Sequence, residues 1–337
     1  MKHLFIIDPL AVLQPDADTS IAFMREATRR GHEVHTCHIE QLGQRGDLPF
    51  AHATRTRVEL ETKGGAPWYA TDDTDWTPLR DFDAVWMRKD PPFDMNYLYA
   101  TFLLSAVAAS AEGQGPVMIN DPQALRDQNE KLFALEFADL CPKTLVSRNM
   151  RELMEFREEL GGEMIVKPLD GAGGEGIFHI NPTDRNARTI LEVGTRHGRQ
   201  FMMAQQYVPE VREGDKRIIL IDGEPAGAVL RVPPEDDARA NFHAGGQAEA
   251  TKLNERDLEI CERVGPRLRE TGVIFAGIDV LGDYLTEINV TSPTGIREIK
   301  RLDGIALEGD VLDAVERRAA ARASQGQGAG GSESAGA

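Results

Sequence analysis

The sequence predicts an α/β protein in which an N-terminal domain with an open, mostly parallel sheet precedes two α+β segments. In the first third of the chain, short apolar runs alternate with stretches of helical periodicity, a pattern typical of parallel strands joined by helices. After about residue 127, strands instead follow one another through glycine-rich or polar turns. The 337 residues are enough for two or three domains of about 100–200 residues each.

The elements of the first domain follow one another at short intervals. Residues 4–8 predict a strand, and Asp18 with the two hydroxyl residues after it can cap a helix that ends at Arg30, before a glycine. Further strands are predicted at 33–39, 84–87 and 117–120, and a further helix at 96–111. Ligands of such sheets bind beyond the carboxyl ends of the strands, which here carry Asp8 and the segment 88–92.

The rest of the chain contains more strands than helices. Strands are predicted at 163–168, 177–180, 201–207, 216–221, 225–232, 278–281 and 285–290, and helical stretches at 129–138 and 150–160. Asn254, with Asp257 three residues later, predicts the start of a long helix. Apolar side chains spaced by three or four residues are expected to line one buried face of this helix: Leu258, Cys261, Val264 and Leu268.

These changes of pattern predict the domain boundaries. We expect an N-terminal domain over residues 1–127, a central segment with a glycine-rich loop over 128–206, and a C-terminal segment over 207–322. The tail, residues 323–337, consists largely of Gly, Ala, Ser, Gln and Glu and has little to bury, so we expect it to be disordered.

Composition excludes several classes of function. Lys and Arg number 38 against 55 Asp and Glu, a formal charge of -17, and so acidic a chain repels nucleic-acid backbones and anionic membranes. No apolar stretch approaches the ~20 residues of a membrane span, and the first residues do not resemble a secretory signal. Cys37, Cys141 and Cys261 are widely scattered and odd in number, which argues against a disulfide framework and favours the cytoplasm.

A glycine-rich segment, Gly171-x-Gly173-x-x-Gly176, matches the letters of the dinucleotide-binding fingerprint. That fingerprint must open a helix, whereas the residues after Gly176 predict a strand, so a dehydrogenase is disfavoured. The chain has no Gly-Lys dipeptide and therefore no P-loop. A glycine-rich connection between strands can instead fold over phosphates with its N–H groups, although by itself it is equally an ordinary surface turn.

Charged residues around this loop favour the phosphate interpretation. Lys167 ends the preceding strand, where its ammonium can meet phosphate oxygens, and Lys131 lies upstream on a helical stretch. Asp279, Glu287 and Asn289 are oxygen donors on two consecutive strands. Mg²⁺ held by a few protein oxygens plus substrate phosphates requires such a set. The alternative is a polar hairpin that faces solvent.

The turn between these two strands decides whether the oxygen donors converge. A regular two-residue loop, Gly282-Asp283, would pair Asp279 with Thr286 and turn Glu287 to the other face. A three-residue loop or a bulge pairs Asp279 with Glu287 instead. We predict the longer loop or a bulge.

Taken in order, these motifs resemble a known family. Lys131, Lys167-Pro168 with the glycine loop, the strand 203–207 and the Asp279…Glu287-x-Asn289 set are similar to those of ATP-grasp ligases. Within that superfamily the chain resembles bacterial glutathione synthetases from about Leu4 to Glu316. The segments that carry this closer resemblance are 87–94, 129–132, 167–171, 214–217 and 287–294.

The resemblance implies a fold and a reaction. Two α+β subdomains would hold ATP between them. The cysteinyl carboxylate of γ-glutamylcysteine would attack the γ-phosphate of ATP to give an acyl phosphate, and the amine of glycine would then displace phosphate to form glutathione. Mg²⁺, or alternatively Mn²⁺, would bind at Asp279, Glu287 and Asn289. The resemblance also implies a homotetramer.

The resemblance further implies roles for individual residues. Lys131 and Lys167 would hold the ATP phosphates, Asp215 would bind the ribose hydroxyls, and Arg217 and Arg231 would bind the reacting carboxylate. The remaining nucleotide-binding residues would be Gly171, Gly173 and Gly174 in the loop and Gln205, Gln206, Tyr207 and Val208 in the hinge. Substrate contacts would come from Ser292, Asp8, Arg88 and Asp90. The polar loop 233–246 would close over the acyl phosphate.

Two residues depart from the family pattern. Glu175 adds a carboxylate to the glycine loop, and Ala240 stands where a lid glycine is expected. Two other functions stay open. One is another ATP-grasp carboxylate–amine ligase, such as one that adds glutamate to a peptide, and the other is a non-catalytic nucleotide-binding module.

Overall fold

The computed structural model describes residues 1–62, 66–110, 115–171, 173–234 and 246–329, which form three β-sheets. The first sheet has the order β3-β4-β2-β1-β6-β7, with β5 paired to β4. Its strands are β1 (Lys2–Ile6), β2 (Glu33–Cys37), β3 (Leu42–Arg45), β4 (Leu48–Val58), β5 (Tyr69–Pro78), β6 (Ala84–Met87) and β7 (Val117–Ile119). The helices of this part are α1 (Thr19–Arg29), α2 (Met95–Ser110) and α3 (Pro122–Asp127).

The first sheet is parallel where the alternating pattern predicts it. The neighbours β2, β1, β6 and β7 are all parallel. The antiparallel strands β3, β4 and β5 extend the sheet on one side and are not part of the prediction. On β5 nearly every side chain is exposed, so no apolar alternation marks this strand in the sequence.

The second sheet is antiparallel and has the order β10-β9-β11-β8. Its strands are β8 (Thr144–Ser147), β9 (Met164–Pro168), β10 (Phe178–Ile180) and β11 (Met202–Gln206). Helices α4 (Met150–Glu159) and α5 (Ala187–Gly194) pack on it and enclose a separate apolar core that includes Leu153, Val166 and Leu191. The predicted helical stretch 129–138 is a 3₁₀ segment, Phe133–Leu140, instead.

The third sheet is also antiparallel and has the order β14-β13-β12-β15-β16. Its strands are β12 (Asp215–Ile221), β13 (Glu224–Val232), β14 (Gln247–Ala250), β15 (Phe275–Leu281) and β16 (Tyr284–Asn289). The helices are α6 (Glu255–Glu270), α7 (Ile296–Asp303) and α8 (Leu307–Ala329). None of the helices within the described ranges combines the length and the apolar character that a membrane span requires.

Helix α6 starts as predicted and buries Cys261, Val264 and Leu268 of the predicted face, but not Leu258. The Asn254 side chain accepts from the Asp257 N–H, and Asp257 bonds back to the Asn254 N–H, which forms the predicted capping box. Leu258, however, is 43% exposed, while Ile260 is fully buried. At about 100° per residue, Leu258 lies at the edge of the face centred on Cys261, Val264 and Leu268. The prediction for Leu258 is wrong.

Asn120 connects the first sheet to the third. It follows β7 and is buried, and its Nδ2 donates to the carbonyls of Phe275 (2.7 Å) and Val290 (2.6 Å). Its Oδ1 accepts from the N–H groups of Ile274 (2.9 Å) and Phe275 (3.0 Å). The two sheets also share apolar core residues, so they form one packed body, next to which the second sheet has its own core.

The C-terminal helix is longer than the sequence suggests. Helix α8 continues through Ala329, so the disorder predicted from Ala323 is not found over 323–329, and residues 330–337 lie outside the described residues. Arg30 at the end of α1 anchors this helix through ion pairs with Asp313 (2.6 Å) and Glu316 (2.9 Å).

Candidate active site

A cavity of about 1330 Å³ opens where the three sheets meet. Nearly all of the predicted site residues line it, although they lie far apart in the chain. These are Asp8, Asp90, Lys131, Lys167, Gly171, Gly173, Gly174, Gln205, Gln206, Tyr207, Val208, Asp215, Arg217, Arg231, Asp279, Glu287, Asn289 and Ser292. Arg88 does not line the cavity.

Four charged side chains on neighbouring strands form the floor of the cavity. Asp215 lies directly opposite Arg231 across β12 and β13, and Arg217 lies opposite Asp279 across β12 and β15. Arg217 binds both oxygens of Asp279, through Nε and through Nη2 (2.9 Å). Arg231 binds both oxygens of Asp215 (2.6 and 2.7 Å), and its Nη2 lies 2.9 Å from Oδ2 of Asp279. Asp279 is therefore held between two guanidiniums.

The protonation states of this group follow from burial and from the paired charges. Burial alone would raise the pKa of Asp279, but Arg217 and Arg231 outweigh it and hold this pKa well below its usual value. Burial alone would lower the pKa of Arg231, but Asp279 and Asp215 raise it further above its usual value. Both arginines stay charged at any physiological pH. The floor is thus a fixed arrangement of charges that can receive an anion.

The β15–β16 hairpin places the oxygen donors on one face. Leu281 pairs with Tyr284 around a two-residue turn, but the register then shifts so that Asp279 pairs with Glu287. Thr286 is the extra residue, and its hydroxyl donates to the carbonyl of Asp279 (3.0 Å). This bulge confirms the predicted pairing. On the same face, Asn289 Nδ2 lies 3.5 Å from Oδ2 of Asp279.

Two buried lysines approach this set from the other side. Lys131 Nζ donates to the carbonyl of Gly171 (2.7 Å) and to the Glu130 carboxylate, and it lies 3.9 Å from Glu287. Lys167 Nζ lies 3.7 Å from the same Glu287 oxygen. Burial would lower the pKa of Lys131, but Glu287 and Glu130 outweigh it and raise the pKa. The Lys131 ammonium is therefore favoured in its charged form next to the glycine loop.

The glycine loop is bounded by strands, as predicted. Strand β10 follows it, so the sequence does not open a helix there and the dinucleotide fingerprint does not apply. Gly173, Gly174 and Gly176 have φ values of +63°, +79° and +72°, which side chains rarely adopt. Ala172 lies outside the described residues. The loop needs glycine for its backbone shape.

The second sheet contributes the wall on the side of the hinge. Ile165 on β9 lies between His179 on β10 and Gln205 on β11 in one row across the sheet. The His179 ring stacks on Tyr207, with 4.2 Å between ring centroids and 11° between the planes. All of these residues line the cavity together with Lys167. An aromatic and apolar wall of this kind can receive a flat base next to the phosphate-binding lysines.

The first sheet contributes an acidic wall at the carboxyl ends of its strands. Asp8 Oδ1 pairs with Lys89 (2.9 Å), and Asp8 Oδ2 accepts from the N–H of Asp90 (3.0 Å). Ser292 Oγ donates to Oδ1 of Asp90 (2.8 Å), which connects this wall to the segment after β16. These contacts place Asp8, Asp90 and Ser292 together, at the position that open parallel sheets use for ligands.

Arg88 lies behind this wall rather than on it. It is 4% exposed, between the rings of Phe23 and Phe275 (5.7 Å to each centroid). Its Nε donates to Ser20 Oγ (3.1 Å) and its Nη2 to the carbonyl of Pro293 (3.2 Å). Direct substrate contact by Arg88 therefore lacks support from its position, and this arginine instead holds the wall in place.

Among the cavity residues that the sequence analysis did not assign to the site, three make side-chain contacts that shape it. Glu130 pairs with Lys131, Asp18 lines the acidic wall and caps α1, and His179 stacks on Tyr207. Glu130 is adjacent to Lys131, and Asp18 is recognisable as a helix cap, so both carry a local signal. His179 carries none, because its partner on another strand is set by the sheet register.

The oxygen donors suit a hard cation that keeps other ligands. Asp279, Glu287 and Asn289 provide two carboxylates and one amide on one face, which leaves coordination positions for water and phosphate oxygens, as Mg²⁺ prefers. Among the described residues, no three His, Cys, Asp or Glu side chains cluster as they would in a metal site built from the protein alone. Most of the loop 233–246, including Ala240, lies outside the described residues.

The fold and the site together define an ATP-grasp protein. A solved D-cycloserine synthetase, DcsG, superposes with a TM-score of 0.62 at 15% identity and covers 94% of this chain and 99% of its own. An ATP-grasp RimK domain protein from Sphaerobacter thermophilus gives a TM-score of 0.60 at 17% identity, with 94% and 100% coverage. At such identities the likeness establishes the fold alone.

Sequence comparison identifies the family within this fold. Residues 1–126 match the prokaryotic glutathione synthetase N-terminal domain, and residues 130–304 match the prokaryotic glutathione synthetase ATP-grasp domain. A glutathione synthetase of Gloeobacter violaceus is 48% identical over 317 residues, 93% of this chain and 96% of its own. One from Vibrio parahaemolyticus is 46% identical over 319 residues, with 94% and 98% coverage. The chain belongs to the prokaryotic glutathione synthetase family.

Proposed function

We propose that this protein joins γ-glutamylcysteine and glycine to glutathione, with conversion of ATP to ADP and phosphate. The observation that carries the proposal is the Arg217–Asp279–Arg231 group, which faces the Lys131–Glu287–Lys167 group across one cavity. The two arginines of the first group suit a substrate carboxylate, and the two lysines of the second group suit phosphates. Their juxtaposition fits the transfer of a phosphoryl group to a carboxylate, and family membership supports the identity of the substrates.

The nucleotide would lie along the second sheet. Its base would pack between the hinge and the third sheet, and Asp215 would bind the ribose. The hinge consists of Gln205, Gln206, Tyr207 and Val208. The phosphates would meet Lys131, Lys167 and the loop glycines Gly171, Gly173 and Gly174. Two buried ammoniums neutralise phosphate charge, and phosphoryl transfer depends mainly on such positioning and neutralisation.

Asp279, Glu287 and Asn289 would hold Mg²⁺, with Mn²⁺ as the alternative. When bound, the ion supplies positive charge next to the phosphate oxygens. The two carboxylates already face cations, Arg217 and Arg231 at Asp279 and the lysines at Glu287. The two arginines lower the pKa of Asp279 and so favour its ionised form. Of the two carboxylates, Glu287 is more exposed than Asp279.

Arg217 and Arg231 would orient the cysteinyl carboxylate for attack on the γ-phosphorus. A guanidinium stays charged and binds two oxygens at once, so it aligns the attacking oxygen and also neutralises charge on the acyl phosphate that forms. The glycine amine then attacks the acyl carbon and phosphate leaves. Ser292, Asp8 and Asp90 would contact the dipeptide from the first sheet.

The domain boundaries 1–127, 128–206 and 207–322 are part of this proposal. Each range contains one of the three sheets, and the second sheet has a core of its own, which suits a subdomain that moves over the nucleotide. We also propose a homotetramer, supported by family membership, and a cytoplasmic location. Cys37, Cys141 and Cys261 are free and buried, as expected in a reducing compartment.

The test measures phosphate release by the purified protein with ATP and Mg²⁺, with γ-glutamylcysteine and glycine omitted in turn, and identifies the product by mass spectrometry. We expect phosphate release to require both substrates and glutathione to be the product. Turnover with another carboxylate or amine but not with this pair would support a different ATP-grasp ligase. ATP binding without turnover on any pair would support a non-catalytic module.

A further inference from the structure

The acidic wall has two carboxylate oxygens that the protein leaves available. Asp18 Oδ1 accepts from the N–H groups of Ser20 (2.6 Å) and Ile21 (3.2 Å), and Asp90 Oδ1 accepts from Ser292. Within the part of the chain that the structure describes, Oδ2 of Asp18 and Oδ2 of Asp90 accept no hydrogen bond. Both residues line the cavity. Asp8 differs, because both of its oxygens have partners.

Buried polar atoms behind this pair also lack partners. Among the described residues, no hydrogen-bond partner reaches Arg88 Nη1 or the Tyr97 hydroxyl, both of which are buried. The same holds for Thr19 Oγ1, next to Asp18 in the chain. Arg88 interacts electrostatically with Asp18, Asp90 and Tyr97, so these groups belong to one cluster. Buried polar atoms are nearly always satisfied, and a group of exceptions at one point indicates a polar site that is completed by something outside the chain.

The charge of Arg88 has a definite effect on the pair. Burial raises the pKa of Asp18, and Arg88 counteracts that rise. A buried cation behind the wall therefore favours the ionised form of the Asp18 carboxylate, which burial alone would favour in its protonated form. Arg88 acts as a positioning residue here, since it also holds Ser20 and Pro293.

The segment after β16 contacts both this pair of aspartates and Arg217, and so it limits the distance between them. Ser292 binds Asp90, Pro293 binds Arg88, and the carbonyl of Thr294 accepts from Arg217 Nη1 (3.3 Å). Two residues of backbone span at most about 7 Å. The cavity thus has an acidic end and a basic end, connected by three consecutive residues, and this spacing is close to the length of a dipeptide.

We propose that Asp18 and Asp90 form the subsite for the α-ammonium group of the γ-glutamyl residue, while the cysteinyl carboxylate lies at Arg217. The inference rests on the proposed function and names the group that this wall recognises. An ammonium has three N–H donors, and two of them can bind the two available oxygens. Compared with an α-linked dipeptide, the γ-linkage adds two methylene groups between the ammonium and the cysteinyl carboxylate. The wall then selects γ-glutamyl peptides by the ammonium group at their far end.

The test combines two changes in a double-mutant-type cycle. One removes the α-ammonium group from the substrate, and the other removes the carboxylate charge of Asp18 or Asp90 from the wall. The kcat/KM of wild type is measured for γ-glutamylcysteine and for glutarylcysteine, which lacks only the α-amino group. A charge-assisted contact predicts about a ten- to hundredfold preference for the amino compound. We expect Asp18→Asn and Asp90→Asn to lower that preference to below about threefold, mainly through the KM for γ-glutamylcysteine.

Both substitutions keep the local structure. Asn is a good helix cap and replaces Asp18 at the start of α1, and the amide oxygen at position 90 can still accept from Ser292. Asp16→Asn is the matched control, since Asp16 is exposed, lies two residues from Asp18 and does not line the cavity. It should keep the wild-type preference.

The outcomes separate this inference from the proposed function. Glutathione formation by wild type with an unchanged preference in both variants overturns the subsite and leaves the ligase activity intact. A wild type that uses both dipeptides equally well overturns it in the same way. A wild type that forms no glutathione overturns the proposed function, and the subsite with it.

Discussion

At the scale of single residues, Asp279 has the most demanding position in the site. Its oxygens are shared between Arg217, Arg231 and Asn289, and it is almost completely buried. A carboxylate there neutralises two buried guanidiniums and offers oxygen to a cation. Residues at such positions influence stability and chemistry together, so their substitution has to be measured on both.

Asp279→Asn keeps the shape of the side chain but removes its charge. We expect the free energy of unfolding to fall by about 3 kcal/mol, because the buried Arg217 guanidinium loses its carboxylate partner and Arg231 retains Asp215 but loses Asp279. We also expect Mg²⁺-dependent ligation to fall by on the order of a hundredfold or more. Chemical denaturation and initial rates at varied Mg²⁺ measure the two effects. Asp283→Asn, in the exposed turn of the same hairpin, serves as the control, and full activity of Asp279→Asn would contradict the role.

Gly277 gives Arg217 the space it occupies. A Cβ at position 277 would lie 2.9 Å from Cδ of Arg217 and 3.0 Å from Cβ of Pro293. Gly277→Ala must therefore displace Arg217, which Asp279 holds through Nε and Nη2. We expect kcat to fall by on the order of a hundredfold, since a shift of about 1 Å at a reacting group has that effect. Gly309→Ala, whose added Cβ meets nothing closer than 3.7 Å, should leave kcat unchanged.

At the scale of elements, the β15–β16 hairpin decides whether the oxygen donors act together. The two-residue turn by itself would give Asp279 the partner Thr286 and direct Glu287 to the opposite face. The bulge at Thr286 restores the pairing of Asp279 with Glu287. One extra residue in a strand, held by a hydroxyl on the Asp279 carbonyl, thus creates the set.

Helix α6 provides an element-scale test of packing. Ile260 is fully buried, whereas Leu258 is largely exposed on the same helix. Ile260→Ala should lower the free energy of unfolding by about 3 kcal/mol, and Leu258→Ala by less than about 1 kcal/mol. Urea unfolding of the two variants gives the comparison. An equal decrease in the free energy of unfolding for both variants would mean that Leu258 packs in the core as Ile260 does.

At the scale of the whole molecule, a series of polar contacts connects β1 to the C-terminal helix. Trp86 Nε1 donates to His3 Nδ1 (3.0 Å), so His3 Nε2 carries the proton and donates to Nδ1 of His32 (3.0 Å). His32 Nε2 in turn lies 3.7 Å from Glu316 on α8. Burial lowers the pKa of His3 to about 3, with His32 and the N-terminus adding to the effect. The arrangement requires a neutral His3.

These contacts predict a loss of stability in acid. As the pH falls below about 6.5, the unfolded chain protonates His3 while the folded protein does not, so the free energy of unfolding decreases by up to about 1.4 kcal/mol per pH unit from this group. His3→Gln, which does not titrate, should flatten that slope between pH 6 and 4. His52→Gln, at an exposed histidine, should retain the wild-type slope. Identical slopes in all three proteins would exclude His3 as the source.

Much of the site was predictable because its residues are functional groups in a fixed order along the chain. Lys131, Lys167 and Arg217 are recognisable from their motifs, and the comparisons confirm the family that those motifs predict. Caps and alternating patterns likewise located α1, β6 and α6 within a few residues. These features depend on local sequence, where periodicity and capping chemistry act within a few residues.

The sequence by itself thus determined the family, the parallel part of the first sheet and the chemical character of the site. Only the tertiary structure decided that Arg88 lies behind the wall while Asp18 faces the cavity, that His179 stacks on Tyr207, and that β5 extends the first sheet. The physical reason is that these outcomes depend on contacts between residues far apart in the chain. A side chain's burial and partners are set by the register and packing of the sheets, which local patterns do not specify.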